Sequence, residues 1–481
     1  MTNNVTTASS GLNRNAIGLW SLVFFVLATN GPLTGLVGVA PTAILLGNGI
    51  GLPSAYLVAG GVYLLFCVGF VAMSRYIRNT GAFYAYVANG LGRPAGTAAA
   101  FLAIVAYAGL QIACYGMIGF FLAHGLGLAG LSLPWWCCSL FVVLVVQLLS
   151  TRNVAVNGKA LGLFMTLEVI VISLFDLGGV LHGGGPAGFT TESFTVGSFM
   201  SHGVGAVFVF VASSFMGIET TAIYSEEARN PERTVPNATY IAVILITALL
   251  VCSSWLLILS FGPSNILQQV TAHPGDVWFI AAERNVGSWL AVVMNVLLIT
   301  SLFSIVLSLQ NTLSRYLYAL GREGVFLSHF ARLHSRHKTP WLASLILSLV
   351  HFVLLLACGL HHINPMTGLL PIGSAPAALG ILSVQVLTSC AVIGYFKGNR
   401  RHTNLWQRLV APLLAIGAMG FGVILIVMNM DLLTGGVPVL DWLIPLGLVL
   451  IALYGALVAI WLRRYRPAEY ANLGQSLNNE V

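Results

Sequence analysis

The sequence predicts an all-α polytopic membrane protein with about twelve transmembrane helices, the first and sixth of them broken near mid-depth. Three observations lead to this prediction. Of the 481 residues, 57% are hydrophobic and only 7% are charged, whereas a soluble domain has roughly 25% charged residues. Apolar runs of about 20 residues, each long enough to cross a bilayer, recur along the whole chain. Two of these runs contain Gly, Pro, Ser or Glu where a simple spanning helix is apolar.

The predicted spans follow one another with short connections. Residues 1–16 form an N-terminal tail, residues 17–462 a single transmembrane domain and residues 463–481 a C-terminal tail. Within the domain we expect two five-helix halves, 17–182 and 203–396, and two additional helices in 410–462. Because five crossings invert the second half, the broken first and sixth helices meet near the midplane. The spans are Ile17–Leu46, Pro53–Ser74, Ala95–Ala123, Leu133–Leu149, Ala160–Leu181, Gly203–Tyr224, Pro236–Leu259, Ser288–Leu309, Pro340–Leu360, Leu370–Phe396, Val410–Met430 and Trp442–Leu462.

Basic residues determine the predicted topology. With the N-terminus inside, the Lys and Arg residues lie at or near the cytoplasmic side, with the exception of Arg284, as the positive-inside rule requires. We therefore expect both termini in the cytoplasm and a plasma-membrane location, the inner membrane for a bacterial chain. The net charge of +7 then serves topology and contact with anionic membrane lipid. It does not indicate a nucleic-acid surface.

The sixth run contains the clearest interruption. Its apolar character ends at Ser213 and Ser214, with Gly217 and the ionisable Glu219 close behind. Opening a helix at mid-membrane frees amide and carbonyl groups, and these persist only where they face a cavity. The break therefore predicts a binding site.

The first run is interrupted at a similar depth. Pro32 suits the first turn of a second half-helix, because its nitrogen has no proton to leave unpaired. A Pro kink without unwinding is the alternative, and the matching interruption of the sixth run favours a break. The interrupted stretch contains Asn30, Gly31, Pro32, Thr34, Gly35 and, one turn on, Gly38.

Three motifs carry a family resemblance over nearly the whole chain. They resemble, in the right order, the loop before helix three, the sixth-helix signature and the loop between helices eight and nine of the amino acid–polyamine–organocation (APC) permeases. The resemblance implies a twelve-helix, five-plus-five inverted-repeat (LeuT-like) fold and secondary transport of amino acids or amines. The motifs are Gly81-Ala82-Phe83-Tyr84-Ala85-Tyr86 followed by Gly90 and Gly92; Gly217-Ile218-Glu219 with Glu226-Glu227-Ala228-Arg229-Asn230-Pro231 and Arg233-Thr234-Val235-Pro236; and Ser314-Arg315 with Ala319, Gly321, Arg322, Gly324 and Thr339-Pro340.

The chain departs from the family pattern at two places. The small Gly-Ser-Gly type of run in helix one is replaced by the stretch from Asn30 to Gly35, in which Pro32 removes a backbone donor. In the middle of helix five the family often has Lys, whereas this chain has Glu168. Both departures bear on the substrate and on the coupling ion.

Two broken helices suit an amino acid, which is a zwitterion. Its carboxylate is matched by free amides at a half-helix N-terminus, near Thr34, Gly35 and Gly38, and its ammonium by free carbonyls at a half-helix C-terminus. We place those carbonyls near residues 28–30 and 213–215. The predicted substrate-binding residues of the breaks are Asn30, Gly31, Thr34, Gly35, Gly38, Ser213, Ser214, Phe215 and Gly217.

The third span adds two candidates to the predicted site. Tyr107, Gln111 and Tyr115 recur at i, i+4 and i+8 on one helix face. They form either an aromatic packing stripe or a pocket wall, and a buried amide such as Gln111 needs hydrogen-bond partners. Phe215, beside the sixth break, is either a hydrophobic gate or a core residue.

Glu168 and Glu219 are the predicted coupling residues. A carboxylate at membrane depth costs roughly 2.5–3.5 kcal/mol, so it must be protonated, paired or hydrated. The alternative for Glu219 is a cap on freed amides below the break. The alternative for Glu168 is a fixed hydrogen bond to span one or span eight. Asp176 lies nearer the outer boundary, where we expect it to be solvated.

These observations together predict a secondary active importer of an amino acid, neutral in net charge, by alternating access with proton coupling. The alternatives are a carrier of polyamines or other amines, an exchanger, and, in a different class, a nutrient-sensing transceptor. No hydrolase or metalloprotease motif is present, so we expect no enzyme activity. His334-x-x-His337 and His361-His362 lack a Cys or acid cluster, so we expect no metal and no cofactor.

Overall fold

The computed structural model describes residues 17–77, 82–128, 130–152, 158–223, 228–326, 328–334, 339–398 and 403–473. Ten helices in these ranges are long and apolar enough to cross a membrane. Two shorter apolar helices, Trp135–Thr151 and Val204–Ser214, occupy the positions predicted for the fourth and sixth spans. An isolated β-bridge joins Ile17 to Ala228. The all-α polytopic class is confirmed, while the count of twelve and the inverted repeat stay predictions.

Twenty α-helices make up most of the described chain. Short 3-10 segments (Gly49–Gly51, Glu192–Phe194 and Ser328–Ala331) and π-helical segments (Thr34–Val39, Pro365–Leu369 and Trp406–Val410) adjoin or connect them. The α-helices are α1 Leu19–Asn30, α2 Ala40–Leu46, α3 Leu52–Ser74, α4 Ala82–Leu91, α5 Arg93–Leu128, α6 Trp135–Thr151, α7 Gly158–Leu181, α8 Val196–Phe199, α9 Val204–Ser214, α10 Thr220–Ile223, α11 Pro231–Phe261, α12 Ile266–Ala272, α13 Val277–Asn285, α14 Ser288–Arg322, α15 Trp341–Leu360, α16 Leu370–Gly398, α17 Ala411–Met428, α18 Met430–Thr434, α19 Pro438–Tyr465 and α20 Pro467–Asn472.

The first span is interrupted at one residue. Gly31 adopts the left-handed conformation with φ 57°, which costs glycine little, and its amide donates to the Leu27 carbonyl at 2.8 Å. Helical structure resumes at Pro32 and is π-helical from Thr34 to Val39. The predicted break is therefore present, but it is shorter than the stretch from Asn30 to Gly35 that the sequence indicated.

The sixth span is interrupted over five residues. Helix α9 ends at Ser214, a turn occupies residues 215–219, and α10 begins at Thr220. Within the turn Gly217 has φ 108°, a backbone conformation that side-chain-bearing residues rarely adopt. The predicted break is present here as well. Glu226 and Glu227, which belong to the sixth-helix motif, lie outside the described residues, as does Gly81 of the motif before span three.

The first span lies at the centre of the domain and the last span at its edge. In the most apolar window of the first span 83% of the residues are buried, against 17% in α19. Helix α1 packs against α7, α11 and α14, and α16 packs along α5. Large apolar side chains of α19 such as Trp442 and Leu457 are exposed, as expected for a helix that faces lipid.

Several element ends differ from the prediction. Helix α14 continues to Arg322, so the stretch from Ser314 to Arg322 is helical and the loop begins at Glu323. Helix α11 begins at Pro231 and contains Pro236 in its second turn. The aromatic segment before the third span forms α4, and Phe83 and Tyr86 are buried among the transmembrane helices. Two segments that resemble loops of the family are therefore helical here: Ser314 to Arg322 continues α14, and Ala82–Leu91 forms α4.

The C-terminal segment is docked rather than a free polar tail. The guanidinium of Arg93 donates to the carbonyls of Ala471 at 2.8 Å and Leu473 at 3.2 Å, and it lies over the ring of Tyr470. Leu473 is buried in a small hydrophobic cluster with Tyr84, Phe101 and Val325 among others. These contacts connect α20 to the third and eighth spans at one end of the domain.

Candidate functional site

A small cavity of about 20 Å³ lies between the two interruptions. Five predicted residues line it, namely Asn30, Thr34, Gly35, Ser213 and Ser214. The prediction missed the other lining residues, which come from the first, third, sixth, eighth and tenth spans. They are Thr29, Val39, Leu110, Cys114, Met117, Met216, Ile305, Leu370 and Ser374.

The two interruptions touch each other at Gly217. A Cβ atom at Gly217 would lie 2.6 Å from Thr29 Cγ2, closer than real Cβ atoms approach other atoms. A Cβ atom at Gly35 would lie 3.5 Å from Ser214 Oγ, so the second half of the first span also passes close to the end of α9. Glycine at these positions lets the backbones of the two interrupted helices approach around the cavity.

The cavity offers hydrogen-bonding groups without a charged side chain among its described lining residues. Ser213 and Ser214 each donate to the carbonyl four residues back, at 2.8 and 2.9 Å, which leaves their oxygen lone pairs free to accept. Asn30 donates through Nδ2 to the Val26 carbonyl at 3.0 Å. Its Oδ1 atom is buried and has no hydrogen-bond partner in the described chain. This set therefore offers acceptors to a ligand that brings hydrogen-bond donors.

Glu219 caps the sixth interruption. Its Oε2 atom accepts the Gly217 amide at 3.1 Å, and its Oε1 atom accepts the Tyr107 hydroxyl. The side chain is buried, and both carboxyl oxygens are thus engaged. This geometry matches the cap alternative for Glu219, and it places Tyr107 behind the break, outside the set of cavity-lining residues.

Glu168 lies beside the first interruption with its carboxyl group unsatisfied. The side chain is 0% exposed, and the Leu33 amide and the Ser301 hydroxyl face it from the first and eighth spans. Neither carboxyl oxygen makes a hydrogen bond of normal geometry to any described residue. Ser301 accepts from Thr34 Oγ1 at 3.3 Å, which leaves its own proton free to donate. Glu168 thus has the predicted neighbours without the fixed hydrogen bond of the alternative.

Gln111 belongs to a polar network outside the cavity. Its Nε2 atom donates to Gln310 Oε1 at 2.8 Å, and Gln310 Nε2 donates to the hydroxyls of Ser344 and Ser348 at 3.0 Å each. Both serines in turn donate to Gln147 Oε1 at 2.8 and 2.7 Å. The network joins spans three, four, eight and nine. Other residues of α5 line the cavity. The predicted contact of Gln111 with the substrate stays a prediction.

Three further predicted residues lie next to the cavity rather than on its wall. Phe215 stacks on Tyr63 with ring centroids 4.7 Å apart and is buried, as in the core-residue alternative. A Cβ atom at Gly31 would lie 2.5 Å from Ile305 Cδ1, and one at Gly38 would lie 2.9 Å from Met117 Sδ. Both glycines therefore let lining side chains approach the backbone.

Most of the missed lining residues carry little signal in the sequence. Leu110, Cys114 and Met117 recur at i, i+4 and i+7 on α5, next to the face of Tyr107 and Gln111 that the sequence analysis chose. Their chemistry resembles that of any core helix, so the choice of face depended on tertiary packing. Ser374 is different, because it lies in a Gly-Ser-Ala-Pro run of the tenth span that marks a small-residue approach.

Comparison with known proteins agrees with the fold. The amino acid permease family profile matches residues 22–469. The aromatic amino acid transport protein AroP of Escherichia coli O157:H7 is 25% identical over 67% of this chain and 70% of its own length. The gamma-aminobutyric acid permease of Bacillus subtilis is 26% identical over 53% of this chain and 54% of its own.

A third relative matches a shorter part of the chain. The cationic amino acid transporter 4 of Mus musculus is 30% identical over 40% of this chain, which spans 29% of that relative's length. The family match covers nearly all of the helical domain described above, including both interruptions and the last two spans. With this coverage, the chain belongs to the amino acid permease family.

Proposed function

We propose that the chain imports a neutral amino acid by alternating access, driven by a proton gradient. The observation that carries the substrate class is the cavity between the two interruptions, whose described lining has hydroxyl, amide and apolar groups and no charged side chain. A zwitterion with no net charge requires no counter-charge from side chains, because helix ends supply partial charges of both signs. The family match supports amino acid transport in general.

The alternatives differ in the charge that they need in the cavity. A polyamine carries at least two positive charges, and a buried cation without a carboxylate partner is costly. Among the described residues, two buried acids lie near the interruptions: Glu219 is engaged by Gly217 and Tyr107, and Glu168 lies behind the first span. An amine carrier, an exchanger and a sensor are the remaining alternatives, and the experiments below separate them from an importer.

Glu168 is the proposed coupling residue. The ionised carboxylate accepts hydrogen bonds from the Leu33 amide and the Ser301 hydroxyl that face it. The protonated group accepts these hydrogen bonds less well, so protonation weakens the contacts of α7 with Leu33 and Ser301. Gain and loss of one proton at Glu168 therefore changes which contacts hold the start of the second half-helix, and this change biases the first span between its two arrangements.

The proposed location is the plasma membrane, with both termini cytoplasmic. Cysteines introduced at Asn4 and Asn472 should react with a membrane-impermeant maleimide only in permeabilised cells. A cysteine introduced at Glu283, on the predicted outer side, is the positive control in intact cells. Labelling of either terminal position in intact cells overturns the proposed topology.

Two measurements test the proposed substrate and driving force. A thermal-shift screen of the purified protein should show stabilisation by neutral amino acids and none by diamines, since a ligand at a hundred times its Kd stabilises by about 2.7 kcal/mol. Proteoliposomes should then accumulate that amino acid when an imposed pH gradient is the driving force. Stabilisation by diamines alone supports the amine carrier, exchange without net uptake supports the exchanger, and binding without flux supports the sensor.

A further inference from the structure

Asp176 is a second acid of α7 whose carboxyl group is turned into the protein. Its Oδ2 atom accepts the Ser253 hydroxyl at 2.9 Å, and Ser253 on α11 is 0% exposed. Its Oδ1 atom is buried and lacks a hydrogen-bond partner in the part of the chain that the structure describes. Asp176 is half-buried: one carboxyl oxygen is enclosed by the packing of α7 against α11, and the other is hydrogen-bonded to Ser253 in a partly buried position.

Asp176 lies between Glu168 and one end of α7. The eight residues that separate the two acids correspond to about 12 Å along the helix, and Asp176 lies about 8 Å before the helix ends at Leu181. The predicted topology places that end outside. The titratable side chain that faces Asp176 from α11 is Cys252.

A purely structural role does not account well for this carboxyl group. Its hydrogen bond to Ser253 could be made by an asparagine, which would avoid the cost of an acid in a membrane span, roughly 2.5–3.5 kcal/mol. The half-satisfied Asp176 and the unsatisfied Glu168 lie on the same helix. Acids in a membrane span with unused hydrogen-bonding capacity are characteristic of proton relays.

We propose that Asp176 accepts the proton from the outer solution and passes it to Glu168. This inference rests on the proposed coupling role of Glu168. The outer solution protonates Asp176. While the outer side is open, the proton moves inward to ionised Glu168, and Asp176 returns to its ionised form. The span of about 12 Å corresponds to about four hydrogen-bonded steps of about 2.8 Å, so the transfer requires bridging water along the outer half of α7.

The test uses the full-length protein in proteoliposomes and the neutral amino acid found in the thermal-shift screen. Asp176→Asn should lower the initial rate of uptake driven by a pH gradient by about 100-fold or more, the lower end of what a positioned proton-transfer group contributes. It should leave counterflow exchange at constant pH unchanged. Asp176→Glu should restore most of the rate. Glu283→Gln removes an exposed acid of α13 and serves as the matched control, with no change expected.

Ser253→Ala provides a second, independent variant that keeps the carboxyl group. It removes the hydroxyl that donates to Asp176, so the dependence of uptake rate on external pH should shift, because the ionised carboxylate loses its donor. If Asp176 is a relay group, this shift should occur while counterflow exchange at constant pH stays unchanged. If Asp176→Asn does not fold, the result with Ser253→Ala decides, and an unshifted profile overturns the proposal.

The remaining outcomes separate this proposal from the coupling role on which it rests. Unchanged gradient-driven uptake in Asp176→Asn overturns the relay, as does an equal loss of uptake and exchange, which marks a structural role. Glu168→Gln is measured in parallel. If Glu168→Gln loses accumulation while Asp176→Asn does not slow uptake, the relay fails and the coupling role stands. If the Glu168→Gln variant still accumulates substrate, the coupling role of Glu168 fails, and the relay that rests on it fails as well.

Discussion

The first and sixth interruptions both place glycine within an apolar run, but they differ in how their polar groups are satisfied. In the sixth span, Glu219 engages the Gly217 amide and the Tyr107 hydroxyl, and Phe215 stacks on Tyr63. In the first span the interruption is one residue, and the nearby oxygens of Asn30 and Glu168 have no hydrogen-bond partner among the described residues. One interruption is held by partners, and the other retains unused hydrogen-bonding capacity.

This difference indicates at which interruption the binding of a ligand or a proton changes the hydrogen-bond energy most. A group that already has its partners gains little when a substrate arrives, because a new hydrogen bond only replaces an old one. A buried oxygen without a partner gains much more. The first interruption is therefore the side of the cavity at which binding and protonation most strongly change the energy, while the sixth forms a wall.

The largest expected effect concerns the contact between the interruptions. Gly217→Leu should lower the free energy of unfolding by about 2–5 kcal/mol, since overpacking costs about 1–3 kcal/mol and a left-handed backbone about 1–2 kcal/mol more. It should also abolish substrate binding, because the side chain fills the space between the two interruptions. Substrate-induced thermal shift measures the loss. Gly420→Leu on α17, where nothing lies within 4 Å of an added Cβ, is the control. Wild-type affinity in Gly217→Leu contradicts the close approach to Thr29.

The next prediction concerns the first interruption, where buried oxygens lack hydrogen-bond partners. Glu168→Gln mimics the protonated acid, so it should keep substrate binding and exchange but lose accumulation driven by a pH gradient. Uptake into proteoliposomes with pH as the driving force measures this. Accumulation at the wild-type level assigns coupling elsewhere, and Glu219 is then the next acid to test.

A smaller effect is expected at the sixth interruption, where both carboxyl oxygens of Glu219 accept hydrogen bonds. Glu219→Gln presents an amide nitrogen where one of the two donors now meets a carboxylate oxygen, which should destabilise the protein by about 1–3 kcal/mol without abolishing proton-driven uptake. Thermal unfolding and the uptake assay are measured on the same preparation. Loss of coupling with unchanged stability would reverse the assignment of roles to the two acids.

The smallest effect tests whether Tyr107 supports the Glu219 cap or contacts the substrate. Tyr107→Phe removes one of the two donors to Glu219 and leaves the Gly217 amide in place, so stability should fall by about 1 kcal/mol. Substrate affinity should change by less than about threefold, because other residues of α5 line the cavity. A large loss of affinity with unchanged stability would return Tyr107 to the substrate site.

The candidate site was only partly predictable from the sequence. Asn30, Thr34 and Gly35 line the cavity, and the sequence indicated this stretch because Gly and Pro within an apolar run disturb a helix whatever surrounds it. Tyr107 and Gln111 were predicted from polarity on one face of a helix. The partners of that face, Glu219 and Gln310, lie far away in sequence, and periodicity contains no information about them.

Composition, apolar run length and local helix breakers determined that the chain crosses a membrane many times and that its first and sixth spans are interrupted. These properties depend on residues close together in the chain and on the absence of water in the bilayer. The tertiary structure alone decided which polar atoms have partners. Thr34 meets Ser301 across 267 residues, and Asp176 meets Ser253 across 77. Such pairs form only when helices pack, and packing therefore distinguishes a bound carboxylate such as Glu219 from an unsatisfied one such as Glu168.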